Sequence, residues 1–271
     1  MFAVIAVKLI ATATVVIGVT LAVSKLGPRL GGIIAGTPII LGPGYFFMLQ
    51  ERSVEFIQSA ALSTLHALIA TLLFSMCFVM TAGRLSALAS LGLATICWVP
   101  FTLIFAATPG GVWGAVLLYC LVLLAAEVIR RKLNLGQPVV IARSGWFDLL
   151  LRGLMAGVLV SIATTVAAKS GPFLSGVLVG FPVGLFTIGL TLHQRYGSLV
   201  ARATVTIAQK GMLSLVAFAV VVALMADKLP PMVTFSVSLI VSLMVSAALF
   251  LISQWQFRRA YAQLPLPEEK P

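Results

Sequence analysis

Apolar segments of about 20 residues, each long enough to cross a bilayer, follow one another along this chain from Phe2 to Gln254. That feature excludes most folds. The runs are continuous rather than alternating, so they read as membrane-spanning helices and not as barrel strands. Only 9% of the 271 residues are charged, where a soluble domain carries about a quarter. The expected class is an all-α polytopic membrane protein.

Breakers and charges divide the chain into nine candidate spans: 2–24, 29–49, 54–80, 85–106, 112–129, 147–168, 173–192, 199–226 and 232–254. The connections are short except for 130–146, and the tail from Gln254 is polar and Pro-rich. An N-terminus without a basic leader, its apolar run interrupted by Lys8, reads as a retained first helix rather than a cleaved signal. Nine spans place the termini on opposite sides. Twelve of the 18 Lys and Arg then fall on one side, three on the other and three within spans. Loops rich in Lys and Arg stay cytoplasmic, which predicts an outside N-terminus and a cytoplasmic C-terminus. The net charge of +11 is therefore topological and does not call for nucleic acid. Cys77, Cys97 and Cys120 are single and far apart, and read as small core residues.

The stretch "GPRLGGIIAGTPII" at 27–40 has a counterpart, "GPFLSGVLVGFPVG", at 171–184. At an offset of 144, Lys25, Gly27, Pro28, Leu30, Gly32, Gly36, Pro38 and Leu41 are identical to Lys169, Gly171, Pro172, Leu174, Gly176, Gly180, Pro182 and Leu185. The same offset pairs Lys8 with Arg152 and His66 with Lys210. Residues 1–106 and 147–254 thus read as two copies of a four-helix unit. Residues 107–146 carry the connector helix and a basic loop, and 255–271 form the tail. One connector helix turns the second copy upside down. Inverted repeats are a common plan for secondary transporters, with the site between the halves near the midplane.

Gly32 and Gly36, and Gly176 and Gly180, are small residues four apart, a spacing that lets helices approach closely. Pro38 and Pro182 interrupt the backbone ladder, and Thr37-Pro38 reads as a helix start. The amides freed at each break would favour an anion. Gly42-Pro43-Gly44 adds a second break in the first copy only. Ionisable residues within spans mark function by default. Asp148 can pair with Arg152, and Arg52 with Glu55, by helical spacing. Lys8, Lys210 and His66 lack a local acid; Glu127 is a possible distant partner, and His66 suits proton coupling. The candidate substrate-binding set is Lys8, Thr37, Pro38, His66, Pro182 and Lys210. No nucleophile elbow, phosphate loop or metal spacing is present in the sequence, so neither an enzyme nor a cofactor is expected.

Residues 7–106 resemble the GlpM/YdgC family of small bacterial inner-membrane proteins. The resemblance rests on "VKLIATATVVIGV", "IAGTPII" and "LQERSVEFIQSAA", with Gly36, Pro38, Glu51 and Arg52 on the family's features. It departs at Gly27-Pro28, and the second copy has Gln194-Arg195 in place of Glu-Arg. It implies a duplicated inner-membrane unit and an association with exopolysaccharide production. The leading expectation is a secondary transporter for a small or lipid-linked anionic solute. The alternative is a non-transporting scaffold of envelope polysaccharide production, and a channel would need a longer polar stripe. The expected partners are the lipid bilayer, the anionic solute and a second copy of the chain.

Overall fold

The computed structural model describes residues 2–25, 38–133 and 146–262. Among them there is helix and turn but no strand. In chain order the helices are α1 (Phe2–Lys25), α2 (Leu41–Glu51), α3 (Val54–Thr81), α4 (Ala87–Ala106) and α5 (Gly111–Lys132). They continue with α6 (Trp146–Val179), α7 (Val183–Gly211), α8 (Leu213–Met225) and α9 (Pro231–Ala262). Five stretches among the described residues are long and apolar enough to cross a membrane: Val54–Thr81, Ala87–Ala106, Gly111–Lys132, Gly171–Met225 and Pro231–Trp255. The chain is a helical protein of the multi-pass membrane type.

Local chemistry sets the helix ends. Ser53 and Ser86 stand in extended backbone ahead of α3 and α4, and their hydroxyls accept from the amides of Phe56 and Ala89. That satisfies one of the amides a helix start leaves open. Inside α6, Gly171 bends the chain at φ 81°, a conformation a side chain resists. The following Pro172 fits a first helical position. Gly197 makes the same bend inside α7 at φ 83°. Two boundaries recur 144 residues apart: Thr81 and Met225 end helices, and Ala87 and Pro231 start the next.

α3 is the central helix: 83% of its apolar window is buried, against 17% for α5 and for α9. It packs against α2, α4, α5, α6, α7 and α8. Leu72, Phe74 and Phe78 are fully enclosed there with Leu91 of α4 and Tyr119 of α5. A second cluster joins Tyr45, Met48, Phe218 and Val222, and a third joins Val16, Ala156 and Val183. In lipid such burial gives little of the stabilisation it gives in water, because the surroundings are equally apolar; close packing and hydrogen bonds decide which helices associate.

Glycines and carbonyls make those decisive contacts. Gly176 lies so near α3 that a Cβ on it would be 2.1 Å from the Ala60 carbonyl oxygen, and one on Gly180 would be 2.6 Å from Ala67 Cβ. The Thr64 hydroxyl, in contact with Tyr45 at 2.7 Å, donates to the Gly176 carbonyl at 2.9 Å. α1 and α6 form the other close pair. Ser161 donates to the Ile5 carbonyl at 3.4 Å. A Cβ on Gly157 would stand 2.7 Å from the Leu9 carbonyl oxygen, and one on Gly153 3.3 Å from that of Ala13. As the α1 partner advances by four residues, the α6 partner retreats by four. The two helices therefore run antiparallel.

Candidate functional site

The helix breaks form where proline places them. Between α6 and α7 the chain leaves the helix at Gly180–Pro182. The Pro182 carbonyl accepts from the Phe186 amide at 2.8 Å and opens α7. The Pro38 carbonyl likewise accepts from the Gly42 amide at 2.6 Å, just ahead of α2. Pro38 thus stands three residues before the α2 start at Leu41, outside the first helical position the sequence assigns to it. Both prolines are buried. Phe181 anchors the second break by packing edge-on against Trp98, with ring centroids 5.1 Å apart. The Trp98 indole in turn donates to the Thr71 hydroxyl at 3.0 Å.

A cleft of about 600 Å³ opens beside this second break. Its apolar floor includes Val16, Ile39 and Ile40, and Gly184 and Leu185 bring the first turn of α7 to its wall. First-turn amides lack intrahelical acceptors and carry the positive end of the helix dipole. The charged side chains among the lining residues are Arg152 and Lys210, and no acid is among them. Ser246 also lines the cleft. It is 4% exposed, and its hydroxyl has no hydrogen-bond partner among the described residues. Two cations, the hydroxyl residues Thr204, Ser246 and Ser253 and a helix start in a mostly apolar cleft suit an anionic group attached to an apolar body.

The sequence-derived candidates divide between this cleft and other places. Pro182 and Lys210 line it, and Pro38 adjoins it through Ile39. Lys210 is exposed in the last turn of α7, which ends at Gly211. The chain passes from α7 into α8 through Met212 in helical φ/ψ, its amide bonded to the Ala208 carbonyl. Lys8 is absent from the cleft lining and is not without an acid: its ammonium lies 2.6 Å from Glu51 Oε2 and over the Phe47 ring. His66 is also absent from the lining; it is 4% exposed, and its Nε2 has no hydrogen-bond partner among the described residues. Arg52 reaches the Thr164 carbonyl and the Phe56 ring rather than Glu55. Glu127 is engaged by Arg130 and Arg131 and also lies close enough to Lys210 to interact with its charge. Gly176 and Gly180 pack on α3 as described above. Gly32, Gly36 and Thr37, and the Asp148 side chain with its expected pairing to Arg152, lie outside the described residues. Arg152 lines the cleft although it is not among the sequence-derived candidates; its place 144 residues after Lys8 is the signal that marks it.

No family model, curated protein or solved structure matches the chain. The reading of its function therefore rests on the residues themselves.

Proposed function

We propose that the chain is a secondary transporter for an anionic solute with an apolar portion. It is built as nine spans, with inverted four-helix halves at 1–106 and 147–254. The cleft carries this reading: Arg152, Lys210, Ser246 and the Pro182 break all line it. An amphiphilic anion would place its charged group between the two cations and its tail along Val16, Ile40 and Phe181. Three further observations support inverted halves. α1 and its counterpart in α6 run antiparallel through paired backbone contacts. Pro38 and Pro182 accept the same hydrogen bond. Helix boundaries recur 144 residues apart. In this arrangement the N-terminus is outside and the C-terminus cytoplasmic in a bacterial inner membrane. The GlpM/YdgC resemblance is part of the same reading, as a duplicated unit.

The test is flux of a short-chain alkyl phosphate into proteoliposomes holding the purified protein, with protein-free vesicles as control. Lys210→Ala is expected to lower flux at least tenfold while the protein stays inserted and monodisperse, since Lys210 is exposed. Flux equal to wild type in that variant overturns the assignment.

A further inference from the structure

A second, smaller hollow of about 290 Å³ lies where α2 passes into α3 and α8 turns into α9. It shares no lining residue with the cleft. Its floor is apolar, built by the buried Leu49, Ile57 and Ala226. Three charged side chains line it: Arg52, Asp227 and Lys228. Among the described residues the ion pairs are Lys8 with Glu51, and Glu127 with Arg130 and Arg131. Asp227 is therefore paired with neither cation beside it. The neighbouring acids are engaged elsewhere, Glu51 with Lys8 and Glu55 with Ser53 and its own amide. The frame around the three charges is fixed. Arg52 donates to the Thr164 carbonyl at 3.3 Å and lies over the Phe56 ring. The amides of Lys228 and Leu229 close the turn on the Met225 carbonyl, both at 3.0 Å. The buried Thr234 hydroxyl ties that turn to α9 by donating to the Leu229 carbonyl at 3.2 Å.

Asp227 is the feature that the fold does not account for. It stands two residues beyond the end of α8, where the negative end of the helix dipole favours a cation and disfavours an acid. The repeat does not require it either, since the offset of 144 puts Gly83 in its place. A carboxylate and two cations held apart around one hollow match a ligand that carries both signs. Two cations and one acid leave a net charge of +1. A phosphate monoester carries about −1.5 to −2 at pH 7, and one ammonium on the same molecule brings it close to the complement of that charge. Pro231, the first residue of α9, also lines the hollow, and a helix start favours phosphate oxygens. The volume falls below the roughly 300–1,000 Å³ of sites for drug-sized ligands, which suits a small polar group and not a whole amphiphile. We propose that the hollow binds an aminoalkyl phosphate, with the phosphate between Arg52 and Lys228 and the ammonium on Asp227. The same chemistry occurs in a soluble ester and in the headgroup of an aminoalkyl phospholipid. This inference uses none of the cleft residues and does not rest on the transport reading.

The test is equilibrium dialysis of labelled phosphoethanolamine against the full-length protein in detergent micelles, with inorganic phosphate and ethanolamine as competitors. Phosphoethanolamine is expected to bind saturably and at least tenfold more tightly than either competitor. Asp227 and Lys228 are exposed, so Asp227→Asn and Lys228→Gln leave the fold in place. Asp227→Asn is expected to weaken phosphoethanolamine at least fivefold while inorganic phosphate binds as tightly as before or more tightly, because the acid repels a plain anion. Lys228→Gln is expected to weaken both. A simple basic patch behaves differently: there Asp227→Asn tightens phosphoethanolamine as well. Unchanged or tighter phosphoethanolamine binding in Asp227→Asn overturns the proposal, as does the absence of saturable binding to the wild type. Lys210→Ala, in the cleft, is expected to leave the binding unchanged; its loss there would place the ligand in the cleft and overturn the proposal too. Protein in nanodiscs identifies the source. Binding at least fivefold weaker in phosphatidylethanolamine than in phosphatidylcholine marks the lipid headgroup as the occupant, and equal binding in both marks the soluble ester.

Discussion

Glu51 closes over Lys8 across 43 residues of sequence, with its carboxylate oxygen 2.6 Å from an ammonium that is 6% exposed while the carboxylate itself is 38% exposed. The two partners of this ion pair are therefore unequal. Removing the carboxylate strands a buried cation, whereas removing the cation leaves a carboxylate that still reaches solvent.

Glu51→Gln is expected to destabilise the protein by about 2 kcal/mol, and Lys8→Met by less than about 1 kcal/mol. The double variant should match Lys8→Met, because no stranded charge remains. Thermal unfolding in one detergent at fixed protein concentration measures all three. Equal losses in the two single variants would contradict the inequality.

The crossing of α1 and α6 tolerates no side chain at Gly157, where a Cβ would meet the Leu9 carbonyl oxygen at 2.7 Å. Gly157→Val is expected to cost about 1–3 kcal/mol by overpacking. Gly92 has nothing within 4 Å of an added Cβ, and Gly92→Ala should be neutral or slightly stabilising through helix propensity. Unfolding temperatures of the two variants, compared side by side, check the contrast.

Cys77 and Cys97 bring their sulfurs to 3.9 Å across α3 and α4. Mild oxidation of a Cys120→Ser variant is therefore expected to consume two thiols per chain and to join the two helices, with no loss of thiols in Cys77→Ser. Mass mapping of proteolytic fragments under non-reducing conditions reads the result. A linkage between separate chains instead would show that the pair is not accessible to itself.

Much of the helix order was legible because its signals are local. Proline removes an amide and fixes φ wherever it stands, so the break at Phe181–Pro182 could be read directly. Ser53 and Ser86 announce helix starts for the same reason. The placement of charge was less legible. Hydropathy shows that residues near 210 are apolar enough for the membrane, but not that Lys210 stands on an exposed face. Lys8 and Glu51 are joined only by the packing of α1 against α2, a relation no spacing rule contains. Cys77 and Cys97 are likewise neighbours only because α3 and α4 fold against each other. The repeat offset is more informative, since it sets Arg152 in the place of Lys8.

Trp98 has a consequence of its own. Of the four tryptophans, Trp113, Trp146 and Trp255 are at least 53% exposed, while Trp98 is 5% exposed, hydrogen-bonded to Thr71 and set against Phe181. Its indole is thus coupled to the broken segment beside the cleft and shielded from whatever bathes the outer surface. The protein contains its own fluorophore: with the three outer tryptophans replaced by phenylalanine, emission from a single native position would report, in real time and without an attached dye, on rearrangement at the break.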